Sequence, residues 1–403
     1  MLELLTEAKN LHMEHLEDNI LNGGVDGTRQ TINFLRSLRD MLSGTSSSSV
    51  NVTVKWDGAP SIFAGTDPRD GKFFVAKKSI FNKNPKVYKT KQDIDDDLSG
   101  DLREKFLLAL KYLPQLRIDG IVQGDFLYSR DDLGIERING KRYLTFHPNT
   151  IVYAVPMDSE LAYDMRRSKM GVVWHTKYVG KDFESLSAQY NQDIVSTMRR
   201  SNNVWFTDAT YRDVSGTATM NSSETMEVNQ LLSRAGTLFN KIKKREFDRI
   251  VDNDDLLTRL KTFNNTKVRD QQPIGNPVDH VNQFVDYINA FFDKELDKRT
   301  TNRGREGVQL KRRNILKDLY PEELVKIFMI YNIIIECKKI LIKKLNRASS
   351  LDTFLLTNKG FKVTNQEGFV VADRFGSNAV KLIDRLEFSY SNFSSEVIKG
   401  FQR

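Results

Sequence analysis

Apolar and polar positions alternate along this chain with two different periods, and the switches between periods divide it into segments. Leu2, Leu5, His12, Leu16 and Ile20 recur at helical spacing, Gly23-Gly24 interrupts them, and Ile32, Phe34, Leu35, Leu38, Met41 and Leu42 make a second amphipathic helix. A run of small polar residues, Ser43-Gly44-Thr45 followed by four serines, marks a boundary. Beyond it the period shortens to two. Strands are predicted at 50–55, 61–64 and 72–77, punctuated by Asp57-Gly58 and by Asp67-Pro68-Arg69-Asp70-Gly71, both strong turn signals. A helical passage at 93–113 stops at Pro114, and strands resume at 120–127, 143–146, 151–155 and 171–177. From about 182 to 358 the pattern is mainly helical, polar and basic. Pro321-Glu322-Glu323 opens its most apolar helix, which runs to Leu345. Strands return at 361–364, 368–372, 380–383 and 387–390, and no internal repeat is visible.

Short strands with intervening helices predict an α+β fold, with antiparallel sheets and flanking helices, rather than a doubly wound sheet. Four segments follow: an N-terminal helical segment, 1–49; the first part of a core, 50–180; a mainly helical basic insertion, 181–359; and the C-terminal part of the core, 360–403.

Composition narrows the function class. The 403 residues carry 61 Lys and Arg against 53 Asp and Glu, a net charge of +8, which favours a polyanionic partner or substrate. The single cysteine, Cys337, excludes disulfides and multi-cysteine metal sites within the chain. The N-terminus lacks the basic start and apolar core of a signal peptide. The most apolar stretch, 327–335, contains Asn332 and is too short to span a bilayer. A soluble, intracellular, cytoplasmic protein with no membrane partner is expected. His12, Glu14, His15 and Glu17 cluster at helical spacing, but no matching ligands follow, so they read as surface and packing residues rather than a metal site.

One stretch carries unusual chemistry. Lys55 stands at the end of a strand and is followed at once by Trp56-Asp57-Gly58, so the chain turns sharply and exposes the amine. A lysine nucleophile needs such a fixed position and a way to lose its proton. An apolar strand reaches a second acid at Gly124-Asp125, and two neighbouring C-terminal strands carry Glu367-Gly368 and Lys381.

In this order the residues resemble the motifs of the covalent nucleotidyltransferases, the superfamily of ATP-dependent RNA and DNA ligases and mRNA capping enzymes. Lys55-Trp56-Asp57-Gly58 looks like the Lys-x-Asp-Gly nucleophile motif, and the resemblance implies that Lys55 forms a lysyl-AMP intermediate. Val122-Gln123-Gly124-Asp125-Phe126 is similar to the third motif, whose acid contacts ribose or a metal. Ile151-Val152-Tyr153-Ala154-Val155 stands where an aromatic ring stacks on the base, with Tyr153 the candidate and Phe146 its competitor. Glu367-Gly368-Phe369-Val370-Val371 looks like the motif whose acid helps hold the metal. Ala379-Val380-Lys381-Leu382 looks like the motif whose lysine binds the α-phosphate.

Lys55 is thus the expected catalytic residue. Asp57, Gly58, Lys78, Asp125, Tyr153, Glu367 and Lys381 are expected to bind nucleotide, and Asp125 and Glu367 to hold Mg2+ or Mn2+. Glu306-Gly307-Val308 is a rival to Glu367, but no lysine strand follows it at the expected distance. A lysine such as Lys381 near Lys55 would also disfavour the charged form of the nucleophile.

The sequence departs from the family pattern in three places. Ala59-Pro60-Ser61 follows the motif instead of a basic residue, Thr53 and Val54 stand where adenylating ligases carry an acid, and Asp125 lies unusually far from Glu367. The stretch after Lys381 is too short for the OB-fold domain of most DNA ligases. The resemblance therefore implies an ATP-grasp-like ligase core with a large helical insertion. It also implies an ATP-dependent polynucleotide ligase with RNA favoured over DNA as partner. The alternatives are a DNA nick-sealing ligase, an RNA-capping or protein-modifying nucleotidyltransferase, and a non-catalytic nucleic-acid-binding relative.

Overall fold

The computed structural model describes residues 15–44, 50–190, 193–211, 218–348, 351–373 and 379–400. The first element among the described residues is α1 (Asp18–Leu42), followed by β1 (Val50–Lys55), β2 (Ser61–Thr66), β3 (Phe73–Ala76), α2 (Lys91–Asp95) and α3 (Gly100–Tyr112). Then come β4 (Ile121–Ser129), β5 (Gly134–Ile138), β6 (Lys141–Phe146), β7 (Ile151–Pro156), α4 (Glu160–Arg167), β8 (Met170–Val179), β9 (Ser187–Tyr190) and β10 (Val204–Asp208). A helical body follows: α5 (Ser222–Asn240), α6 (Lys244–Asp252), α7 (Asp254–Arg269), α8 (Pro277–Asp297), α9 (Asn302–Leu316) and α10 (Pro321–Leu345). The chain ends in β11 (Asp352–Thr357), β12 (Gly360–Val363), β13 (Gly368–Asp373), β14 (Ala379–Leu382) and α11 (Arg385–Phe393).

The fold is mixed α and β with largely antiparallel sheets. The strands form three sheets, ordered β1-β13-β14, β10-β8-β4-β2-β3 with β9 also on β8, and β12-β11-β7-β6-β5. Only the β8–β10 pair runs parallel among the described strands.

Alternation decides what each face of the three-stranded sheet meets. Val52, Val54, Phe369, Val371, Val380 and Leu382 point into one apolar core with α1 and the helices α5 to α10. Thr53, Lys55, Val370 and Lys381 take the opposite face, because residues opposed across a ladder share a side. The other two sheets pack together through Leu127, Tyr128, Val173, Phe146, Ile151 and Tyr153, with Trp56 against them. The far side of the six-stranded sheet is closed by α3 through Phe106 and Ala109.

The Gly23-Gly24 break falls where expected, since Gly24 is non-helical at φ +54°, which glycine adopts without strain, and α1 is two helical segments joined at that kink. Several sequence expectations change in the folded chain. The helical passage at 93–113 divides into α2 and α3, and β5 was not anticipated. The 181–359 segment is not wholly a helical insertion. Its ends supply β9 and β10 to the six-stranded sheet and β11 to the five-stranded sheet, leaving α5 to α10 as the helical body. These strands are four to six residues long and acquire their burial from neighbours, so their own periodicity is weak. The stretch 387–390 is helical, not extended, because Asp384 caps α11 by accepting from the N–H groups of Leu386 and Glu387. His12 and Glu14 lie outside the described residues, and among the described helices none is long and apolar enough to cross a membrane.

Glu17 and Lys338 join the start of α1 to the middle of α10. The Lys338 ammonium donates to both Glu17 oxygens, at 2.7 and 2.6 Å, and both side chains are essentially inaccessible. Burying one partner of such a pair alone is costly, whereas replacing both by apolar groups is often tolerated. Lys338→Met is therefore expected to lower stability by about 3–5 kcal/mol. Pairing it with Glu17→Met should recover much of that loss, as read from urea unfolding midpoints.

Candidate functional site

The three sheets converge on the turn that links β1 to β2. Lys55 closes β1, opposite Gly368, and its ammonium donates to the Glu367 carboxylate, which comes from 312 residues away in the sequence. Gly368 makes this contact attainable. A Cβ there would meet the Leu382 carbonyl oxygen at 2.6 Å, so only glycine lets β13 start this close to β14. Gly58 answers a similar constraint on the other side. Its missing Cβ would lie 2.5 Å from the Asp125 Cβ, and the turn is then sewn to β4 by Ala59 N–H to Phe126 O and Phe126 N–H to Pro60 O, both 2.9 Å.

Asp57 serves a structural purpose. Its buried carboxylate accepts from the Asn149 amide at 2.7 Å, the Thr150 N–H at 2.7 Å, the Thr150 hydroxyl at 2.6 Å and the Ile151 N–H at 2.7 Å. The acid of the Lys-x-Asp-Gly stretch thus ties the turn to the β6–β7 loop rather than facing open space. Tyr153 supports the same turn from below: the Asp57 N–H donates to its hydroxyl at 2.6 Å. Its ring stacks on Phe146 at 5.2 Å and meets Trp56 at 5.1 Å. Both Tyr153 and its competitor Phe146 are fully buried, so neither presents a free face for a base, whereas Trp56 retains partial exposure.

Carboxylates dominate the electrostatics. Burial pulls the Lys55 amine down, but Glu367, Asp125 and Asp57 together hold it above the ordinary lysine range. Lys381 does not offset them. It sits opposite Val370, on the same sheet face but two residues along from Lys55, and its backbone carbonyl accepts from the Leu16 N–H. The expectation that Lys381 lowers the nucleophile's pKa is therefore corrected. Glu367 is pushed up to about 7 by burial first, then by Asp57 and Asp125, against the pull of Lys55.

The remaining predicted residues fall into place by register. Asp125 lies opposite Ser61 on β2, and β3 ends beside the start of β2, so exposed Lys78 emerges at the same sheet end. Glu306 is exposed on α9, in a helix rather than a strand, and is no rival to Glu367. His15 and Glu17 are drawn into the helical core contacts instead of a cation site.

Two features escaped the sequence. The 149–151 backbone is recruited by Asp57, and His175 on β8 approaches Asp125, with Nε2 at 3.7 Å from Oδ2.

Among the described residues no group of three or more His, Cys, Asp or Glu side chains is arranged to hold a metal ion. Asp125 and Glu367 supply two carboxylates. That number suits Mg2+ or Mn2+ arriving with phosphate oxygens that complete its shell, rather than a resident metal in a protein cage.

A family model described as a family of unknown function, DUF6267, matches residues 10–397, and the chain belongs to that family. No curated protein and no solved structure matches it.

The Glu367 assignment has a sign that can be checked. The folded chain holds this proton more tightly than an ordinary glutamate with a pKa of 4.5, so wild-type stability is expected to fall as pH rises from 4.5 to about 7. Glu367→Gln should lack that slope when the two proteins are unfolded by urea across the interval.

Proposed function

We propose that this family member is a covalent nucleotidyltransferase, an ATP-dependent polynucleotide ligase acting on RNA ends in preference to DNA. The observation that carries the reading is the meeting of Lys55 with Glu367 at the mouth of a turn, with Asp125 on the adjoining strand and Lys381 on the same sheet face. The Glu367 carboxylate gives the fixed amine an acceptor for its proton, and because the surrounding carboxylates hold that amine above the ordinary lysine range, the proton leaves only as the attack on phosphorus proceeds. The resemblance of the five motif stretches supplies the reaction class, and an ATP-grasp-like ligase core is the fold it implies.

In the first step the Lys55 amine transfers a proton to Glu367 and its lone pair attacks the α-phosphorus of ATP. A P–N bond forms, the α-phosphorus–oxygen bond to pyrophosphate breaks, and pyrophosphate leaves. A 5′-phosphate oxygen then attacks the AMP phosphorus and breaks the P–N bond, and a 3′-hydroxyl attacks the activated 5′-phosphorus and releases AMP. Lys381 is positioned to balance α-phosphate charge, and Asp57 keeps the turn from shifting while Lys55 reacts. Asp125 would hold Mg2+ or Mn2+, which neutralises triphosphate charge when bound, and Glu367 would join it only while ionised, before it takes the Lys55 proton.

A nucleic-acid partner is supported by charge placement. Between Lys298 and Lys317 eight Lys and Arg stand against one acid, Glu306. Arg303, Lys311 and Arg313 are exposed on α9. Such a surface suits a phosphate backbone.

Incubation with α-labelled ATP and Mg2+ is expected to give a denaturation-resistant adduct that Lys55→Ala abolishes. The absence of any adduct, after bound adenylate has been discharged with pyrophosphate, would sink the reading. End-joining on single-stranded RNA, nicked duplex RNA and nicked DNA separates RNA ligation from DNA nick sealing. Replacing Arg303, Lys311 and Arg313 by serine should make the salt dependence of RNA binding shallower by roughly one slope unit per lost phosphate contact. An unchanged slope would leave α9 as an ordinary solvated helix.

A further inference from the structure

β8 carries one residue too many opposite the Gln123-Gly124 step, next to Asp125. Gln123 is matched with Thr176 and Gly124 with Trp174, so His175 is the extra residue of a β-bulge. Bulges re-aim side chains, and they gather beside functional sites. Here β8 presses closely on β4: a Cβ on Gly124 would meet the Val173 carbonyl oxygen at 2.3 Å. The imidazole is directed toward Asp125, with Nε2 at 3.7 Å from Oδ2. Both side chains keep a fraction of their surface, 25% for His175 and 20% for Asp125, so the gap between them opens to solvent. The buried Thr176 hydroxyl lies 2.8 Å from His175 Nδ1. With that hydroxyl donating, Nε2 carries the hydrogen that faces Asp125.

We propose that His175 and Asp125 together bracket one ribose hydroxyl of the nucleotide, which makes His175 a specificity-determining residue for ribonucleotides. This rests on the nucleotidyl-transfer reading of the Lys55 cleft. A separation of 3.7 Å is too long for a direct hydrogen bond but lets one oxygen reach both atoms at ordinary hydrogen-bond length. The occupant must accept from Nε2–H and donate to a carboxylate. A hydroxyl does both, whereas an ionised phosphate oxygen has no hydrogen to donate to the carboxylate and an exocyclic amine only donates. Asp125 acts electrostatically on Lys55, and the sugar is the group joined directly to the α-phosphate that Lys55 attacks. Placing the α-phosphate at Lys55 therefore puts the ribose beside Asp125 and His175.

The test uses the full chain with ATP, 2′-deoxyATP and 3′-deoxyATP. Nucleotide affinity is measured by calorimetry in the Lys55→Ala background, and adduct formation is measured with Lys55 intact. One of the two deoxynucleotides should bind about tenfold more weakly than ATP. His175→Ala should erase that difference without lowering the thermal midpoint enough to unfold the chain at the assay temperature. His175→Gln, whose amide nitrogen can occupy the place of Nε2, should keep part of the discrimination, and His175→Asn, which reaches only the place of Nδ1, should not. Equal affinity for all three nucleotides, or undiminished discrimination in His175→Ala, overturns the proposal. Discrimination without any adduct on Lys55 removes the transferase reading and leaves the ribose site standing. Failure of ATP to bind at all overturns both.

Discussion

The pairing of β1 with β13 is the constraint on which the site depends. It sets Lys55 opposite Gly368, brings Glu367 onto the amine, and places Lys381 on the same sheet face one ladder further on. One face of this small sheet is committed to the helical core through Val52, Phe369, Val371 and Leu382, which fixes its register: a slip of one residue would drive Lys55 into the core and Val54 out of it. The chemistry of the amine is thus held by apolar packing on the reverse side of the strand.

Around that register the turn 56–60 is tied on three sides. Asp57 anchors it to the 149–151 backbone, Tyr153 props it from below, and Gly58 allows β4 to lie against it. The site is consequently rich in carboxylates whose roles differ with their surroundings. Asp57 is consumed by four hydrogen bonds, Glu367 is buried against an amine, and Asp125 keeps an open side toward His175. Similar groups acquire distinct tasks because burial and donors are distributed unequally among them.

Much of the sheet architecture was legible in the sequence, because alternating residues and Asp-Gly turns report local geometry directly. Lys55, Asp125, Glu367 and Lys381 could each be placed on a strand or at its end for this reason. What escaped was whatever neighbours decide. The short strands β9, β10 and β11 show no clear alternation until β7 and β8 lend them partners. The 387–390 stretch has strand-like residues but obeys the Asp384 cap. Asp57 and Tyr153 resembled ligand-facing residues, and only the fold reveals that the Tyr153 hydroxyl accepts from the Asp57 N–H while the Asp57 carboxylate is taken up by residues 149–151. His175 was invisible because a bulge is a mismatch between two strands, and neither strand shows it alone.

The long detour between β10 and β11 has a consequence for how the molecule comes into being. Lys55 leaves the ribosome 312 residues ahead of Glu367. At typical elongation rates the nascent β1 waits on the order of 15 to 60 seconds for the strand that completes its sheet. The six-stranded sheet and the helical body can condense meanwhile, since their contacts are nearer in sequence. The amine therefore stays without its carboxylate partner until β13 has been made, so no shortened chain ending before β13 could assemble the Lys55–Glu367 pair.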